Sequence, residues 1–448
     1  MENTDKTLLV LLYAIFAFAI VLHVSLIVKR EKRISLNSFF EFYLFLVYGI
    51  TPIVTLLSID TLKEGNNYFF TDNSLYYYWL YFMSVLFYMF YRLTNYILKR
   101  STFKDKKNLS KWKIDTTSNR FFVITMIISL IGILSLVLWT KAYGYPWDII
   151  HYANAIRSGN SPIYNQFSFV KPLCGFVIIA FYNNLIIFKK TNHKILNSFL
   201  LVINGFFSII FLLANDSRMF ILVFFLCVIL FYKNRNLHIN LKNVLFYTSL
   251  IIVTLLALAK LDGVTYFIRN GEELKDSSNS LMLDAMSEFS YTYRNGVNVL
   301  YLYNNAQITD PHEPIDLKNI VTFLLPERLN MDKEDLTRLN TSFYHNISGS
   351  VPTDIITASI YKFHLLGIIV LPIFIAFVLN WLENLFRRYN SDFMWMIYNI
   401  IGCNVCLRFV GYYDLSNNLR SCIYIIVPVI MVCAVCKSKL KGGEVRNE

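Results

Sequence analysis

An all-α polytopic membrane fold, with about eleven transmembrane helices and one large helical loop on the outward side, is what the sequence predicts. Three observations carry that reading. Of the 448 residues, 55% are hydrophobic and 17% aromatic, well beyond the usage of a soluble domain. Windows of roughly 20 apolar residues, the length a helix needs to cross a hydrocarbon core of about 30 Å, recur along nearly the whole chain. Basic residues gather in alternate short loops, as they do on the cytoplasmic side of membrane proteins. The runs are continuous, unlike the alternating ten-residue segments of a membrane barrel. Because the formal net charge of +12 sits in those loops, no nucleic-acid partner is expected.

The first window, Leu8 to Val28, follows MENTDKT with no basic leader region or cleavage site and reads as a retained span. KREKR comes next, which makes that side cytoplasmic and places the N-terminus outside. Phe39 to Ile59 returns outward. Leu75 to Leu98, opening on YYYWLYF as an interfacial aromatic belt does, runs in to KRSTFKDKKNLSKWK, the most basic loop. Phe121 to Thr140 leads out to a first outward loop whose Gly144, Pro146, Gly159 and Pro162 mark turns, and Phe169 to Phe188 returns. Ile195 to Ala214 and Met219 to Tyr232 are parted only by NDSR. The second of these is about 22 Å long as a helix, short for the bilayer core, which draws Asp216 and Arg218 toward or below the outer interface. Val244 to Leu261 completes a bundle of eight spans over residues 1–261. Residues 262–354 form the one long polar stretch, an extracytoplasmic loop. Residues 355–436 hold spans nine to eleven (Ile355 to Leu382, Phe393 to Val410, Ser421 to Val435), and 437–448 is a basic cytoplasmic tail.

Within the polar stretch, Met282, Met286, Phe289, Tyr293, Val297 and Leu300 recur at helical spacing. They predict an amphipathic helix from Ser280 to Tyr303, lying on the membrane or on the bundle. Asp316 to Leu325 and Asp332 to Leu339 predict two further short helices, and Gly349 and Pro352 break the chain before the ninth span.

Ionisable groups inside spans cost several kcal/mol unless paired or hydrated, so each is a candidate for function. Lys362 and His364 fall about two turns into the ninth predicted span, either as an internal hydrogen-bonded pair or as ligand-binding groups. Arg408, near the outer end of the tenth, is either a headgroup anchor or part of a site. Glu41 and Arg92 sit close to inner ends, where pairing or snorkelling accounts for them. Arg218 combines a forked donor with a helix start, a combination suited to a diphosphate, unless it only pairs with Asp216. Arg157, Arg269, Arg294, Arg328, Arg338 and Arg420 continue the set of outward arginines. His345, the outward histidine nearest a span entry, can take a proton from a hydroxyl at neutral pH; His312, between prolines, is a weaker choice.

No Walker loop, dinucleotide fingerprint, HExxH or GxSxG occurs, and the inner loops are too short for a nucleotide domain. Any reaction therefore draws on an already activated, membrane-borne substrate at the outer face. The seven cysteines lie in or beside apolar windows, and the pairs Cys403/Cys406 and Cys433/Cys436 read as small packing residues; no metal or other cofactor is expected.

The span number, the large outer loop in the C-terminal third, the arginine turn ANDSRMF and the segment SVPTDIITASIYKFHLLGI together resemble the Wzy-type bacterial oligosaccharide repeat-unit polymerases. Gly349, Pro352, Tyr361, Phe363 and Gly367 match that family's loop and span entry, and Arg338 to Gly349 its arginine-to-glycine spacing. The resemblance implies a C-type glycosyltransferase fold in the bacterial plasma membrane and a metal-independent, inverting transfer. A growing glycan on undecaprenyl diphosphate would pass to an incoming lipid-linked repeat unit, building O-antigen or capsule in lipopolysaccharide or capsular biosynthesis. Arg218, with Arg408 or Arg294, would stabilise the leaving diphosphate, and His345 would receive the hydroxyl proton. Arg338, Lys362, His364, Tyr361 and Asp216 would bind substrate, and a flippase and a chain-length regulator would be partners. An O-antigen ligase and a lipid-oligosaccharide flippase or other transporter are the alternatives.

Overall fold

The computed structural model describes residues 3–58, 73–102, 112–153, 156, 163–190, 194–215, 218–233, 281–305, 340–341, 351–387, 391–413 and 415–439. Helices make up almost all of it. Seven helical segments are long and apolar enough to cross a membrane: Asn3–Glu31 (α1), Leu36–Leu57 (α2), Asn119–Tyr143, Ser168–Lys189, Ile195–Ala214, Ile355–Phe386 and Asp392–Gly411. Phe220–Tyr232 and Cys422–Cys436 are apolar but shorter. The predicted eighth span and the helices predicted at 316–325 and 332–339 lie outside the described residues.

The helices are numbered onward as α3 (Ser74–Thr102), α4 (Asn119–Thr140), α5 (Phe176–Lys190), α6 (Lys194–Ala214), α7 (Arg218–Lys233), α8 (Leu281–Asn304), α9 (Ile355–Phe363), α10 (Gly367–Arg387), α11 (Asp392–Gly411) and α12 (Leu415–Cys436). Their starts carry side-chain caps where an N–H would otherwise go unmet. Ser35 accepts from Ser38 N, Ser118 from Phe121 N and Ser391 from Met394 N, each worth about 1 kcal/mol. Both α2 and α11 contain a widened π turn, at Phe45–Ile50 and Ile401–Val405. Such turns rotate the side chains beyond them to new positions. Two three-residue strands, Trp112–Ile114 and Lys437–Lys439, pair antiparallel and join the loop after α3 to the end of α12.

The end of the bundle that carries KREKR is tied by polar side chains. Glu41 is fully buried and holds His23 at 2.7 Å and Arg92 at 3.1 Å, so the pairing expected for Glu41 and Arg92 is present. Glu383 accepts from Arg33 at 2.6 Å, from Leu36 N at 3.0 Å and from Tyr398 at 2.8 Å. Lys99 meets Glu31 at 2.9 Å. These bonds join α1, α2, α3, α10 and α11. The long side-by-side contact of α3 with α10 carries Asn95 hydrogen-bonded to Asn380.

Two sequence expectations are corrected. The predicted ninth span is broken. α9 stops at Phe363, His364 takes a positive φ of 51°, and after one short 3-10 turn α10 begins at Gly367. Gly367 presses on the backbone of Ser359, eight positions back, where an unbroken helix would hold them about 12 Å apart. The chain has therefore turned back on itself, and within Ile355–Phe386 the continuous helix of crossing length is α10, 21 residues long. The second correction concerns α8, which the periodicity places on the membrane or on the bundle. Its second half is enclosed: Ser290 and every residue from Thr292 to Leu300 are buried among α2, α3 and α9.

Candidate functional site

At the end of the bundle opposite KREKR, the last turn of α11 meets the second half of α8, the start of α7 and the entry to α9. The meeting is organised by hydrogen bonds from a segment that is not itself helical. Val351–Asp354, neither helix nor strand, lies between Asn340–Thr341 and α9: Asn340 donates to Val351 O at 3.1 Å, and Val351 N donates to Thr341 at 2.9 Å. Asn295 of α8 donates to Pro352 O at 2.8 Å, and Tyr413 N to Thr353 O at 2.6 Å.

Asp354 ends this segment and caps α9. Its carboxylate accepts from Ile356 N and Thr357 N, both at 3.1 Å, from the Thr357 hydroxyl at 2.6 Å, and from the Tyr48 hydroxyl of the α2 π turn. Burial pushes the carboxyl up from its ordinary range, while the bonds from Thr357 and Tyr48 pull it back down. With its oxygens so occupied, Asp354 positions the start of α9 and is poorly placed to act as a base.

The sequence-selected cations divide as follows. Lys362 is buried, and its Nζ lies 4.7 Å from the centre of the Tyr413 ring. It is not paired with His364, because the turn after Phe363 carries that imidazole away to the Tyr303 ring, 5.2 Å between centroids. The expected internal pair is thus replaced by two separate aromatic contacts. Arg408 is half-buried. Its Nε donates to Asn404 at 2.8 Å, Asn404 donates in turn to Tyr424 at 2.7 Å, and its guanidinium lies 4.0 Å from the centre of the Phe220 ring. Arg294 is buried at 4% exposure on α8, three positions after Tyr291.

Aromatic rings connect these groups. Phe220 stands two residues after Arg218, which opens α7; its ring lies 6.1 Å from Tyr412, and Tyr412 lies 5.9 Å from Tyr291. The Tyr291 hydroxyl donates to Gly411 O. The start of α7, Arg408 and the α8 turn that carries Arg294 therefore converge on residues 408–413. Tyr361 donates to Asn340 at 3.2 Å on the other side of the same segment. Asp216, Arg338, His345 and the side chain of Arg218 lie outside the described residues.

No family model, curated protein or solved structure matches the chain. The chemistry of the site rests on its own residues.

Sequence reasoning missed Tyr48, Tyr291, Asp354, Asn404, Tyr412, Tyr413 and Tyr424. One of them had a visible signal: Asp354 stands immediately before the apolar run IITASIY, the place of an N-cap. Asn404 had a second, one helical turn before Arg408. The remainder meet partners 20 to 306 positions away, and no local pattern announces them. Cations, amides and phenols gathered at the ends of spans suit a ligand that is anionic and rich in hydroxyls, held where a lipid headgroup would lie.

Proposed function

We propose that the chain is a bacterial plasma-membrane glycosyltransferase that polymerises lipid-linked oligosaccharide repeat units at the outer face, as Wzy-type polymerases do. The observation that supports this most is the convergence of Arg408, the start of α7 and the Arg294-bearing turn of α8 on one span end. The proposal includes the eleven-span topology, with the N-terminus outside, the C-terminus cytoplasmic and this end of the bundle outermost. The donor is a glycan on undecaprenyl diphosphate, and the acceptor is the terminal sugar of an incoming repeat unit.

In the reaction, the bond from the anomeric carbon to the diphosphate oxygen breaks as the acceptor hydroxyl attacks from the opposite face. The diphosphate leaves with the bonding pair, and the configuration inverts. Fixed cations aimed at the leaving oxygen lower that barrier, and removal of one such group typically costs about 10²–10³ in rate. Arg408 and Arg294, with Arg218, take this role, and His345 accepts the hydroxyl proton. Lys362, Tyr361, Arg338, Asp216 and His364 contact the glycan or the diphosphate. No metal is invoked.

The test is deletion of the gene in its host, sizing of the surface glycan, and complementation with Arg408→Ala and His345→Ala at matched expression. Single repeat units on the surface without long chains support the proposal. Long chains accumulating on the lipid carrier would make the protein a ligase, and repeats trapped on the inner face would make it a flippase.

A further inference from the structure

The loop after α4 displays an aromatic pair that the site does not use. Tyr145 and Trp147 stack with centroids 5.1 Å apart and planes 9° from parallel. They are 66% and 50% exposed. The loop that holds them is built to be stiff. Gly144 takes a φ of 112°, a conformation open to glycine, and a Cβ there would lie 2.6 Å from the Asp148 carboxylate. That carboxylate accepts from Tyr145 N at 2.8 Å, and Asp148 N donates to Tyr145 O at 3.0 Å. Asn165 returns to the end of α4, donating to Trp139 O at 2.6 Å.

The same loop is pulled down onto the ends of the spans. Ile149 and Ile150 are buried in a second hydrophobic cluster with Leu136, Trp139, Ile210 and Ala214, residues of the last turns of α4 and α6. Ile149 follows Trp147 by two positions, so the stack stands within about 7 Å of chain from those span ends. Apolar side chains are exposed on α4 in the turns before the loop, Leu134 at 52% and Leu138 at 39%. Phe169, at the start of the returning segment, is 58% exposed. Cations stand in the same stretch, with Lys141 exposed and the Lys171 Nζ 5.3 Å from the Trp139 ring centre.

We infer that the Tyr145–Trp147 stack is an anchor seated in the phospholipid headgroup layer. Three features fit that one occupant. Exposed apolar ring area stands just past the end of α4, whose own leucines are exposed, and the phenol and indole supply polar tips for the boundary. Lysines at that depth attract headgroup phosphate. The anchor would hold the loop at headgroup depth and keep the edge formed by α4, α5 and α6 in register with the membrane surface. The inference holds whatever reaction the protein performs.

Tryptophan quenching in lipid nanodiscs tests it. The wild-type protein and Trp147→Phe are compared in palmitoyl-oleoyl phosphatidylcholine and in its 6,7-dibrominated analogue, and again with aqueous iodide. The emission lost in Trp147→Phe is the Trp147 component, one of six tryptophans in the chain. The expected result is a loss of that component of about twofold or more in the brominated bilayer. If brominated lipid leaves it unchanged and iodide quenches it as it does free indole, the stack stands in water and the inference fails. If neither agent quenches it, another protein surface covers the stack, and the inference fails equally. Should Trp147→Phe not fold, Tyr145→Trp places an additional reporter in the pair, and its added emission is judged by the same criteria.

Discussion

Tyr48, in the widened turn of α2, donates a hydrogen bond to Asp354, the residue that caps α9. A residue near the start of the chain thereby fixes the entry of a helix 306 positions later. The π turn is what aims the phenol. Both groups are fully or almost fully buried, where water cannot supply a partner, and Ile356 N, which donates to both, closes the arrangement.

Asp354→Ala removes the cap and takes the acceptor from the Tyr48 hydroxyl, the Thr357 hydroxyl and the Thr357 N–H, while Ile356 N keeps the Tyr48 oxygen at 3.2 Å. A loss of roughly 2–4 kcal/mol is expected, against about 1 kcal/mol for Tyr48→Phe, which leaves three donors in place. The double variant should fall short of the sum, since the two share one interaction. Thermal unfolding in detergent measures all three, and strict additivity would show that the bond contributes nothing.

At the KREKR end, Arg92→Ala deprives the buried Glu41 carboxylate of its arginine and leaves, among the described residues, His23 and the more distant Tyr88. The expected cost is on the order of 2–3 kcal/mol, below that of a fully buried pair because Arg92 and His23 are each about a quarter exposed. Adding Glu41→Gln should restore part of the loss by removing the uncompensated charge. Glu41→Gln making matters worse in that background would show that the carboxylate is needed for its hydrogen bonds, whatever its charge.

Seven spanning segments were legible in the sequence because hydrocarbon demands a simple property, about 20 consecutive apolar residues, and Leu8 to Val28 or Phe121 to Thr140 supply it directly. Glu41 and Arg92 were legible for the same reason, since charge at that depth needs a partner. The turn at Phe363–Gly367 was not. FHLLGI is as apolar as the helices beside it, and hydropathy carries no information about the sign of φ at His364. The enclosure of α8 was hidden for the opposite reason. TYRNGVN looks like a water-facing turn of helix, yet all seven residues are buried, and Asn295 donates to the Pro352 carbonyl. The aromatic contacts of Arg408 and Lys362 arise only when distant helix ends meet.

Arg408 separates charge from geometry. Its guanidinium stacks on Phe220 while Nε bonds Asn404, which a lysine keeping the charge cannot reproduce. Under the proposed reaction, Arg408→Ala should lower polymer formation by about 10²-fold or more, and Arg408→Lys should recover only a minor part. Phe220→Leu, which keeps bulk and loses the ring face, should cost far less, roughly tenfold or under. Polymer length and yield in the complemented deletion strain measure each. Full activity in Arg408→Lys would mean that a diffuse positive charge suffices and that the stacked geometry is incidental.

The fold-back between α9 and α10 makes the sharpest structural prediction, because it depends on one missing side chain. At Gly367 an added Cβ would clash with Ser359 O and lie 2.7 Å from its carbonyl carbon, and neither is a flexible side-chain tip that can swing aside. Gly367→Ala must therefore push α9 away from α10. That movement strains the segment bonded to Asn295 and Tyr413, and a loss above about 3 kcal/mol or failure to accumulate folded protein is expected. Gly411→Ala is the matched control. Its nearest neighbour would be the Tyr291 hydroxyl at 3.6 Å, an ordinary contact, and alanine suits a helix better than glycine does, so stability should hold or rise slightly. Both variants remove a glycine from the same end of the bundle, so general sensitivity to substitution affects them alike. Equal stability of the two would mean that α9 and α10 do not turn back on each other, and that Ile355–Phe386 runs as one straight span.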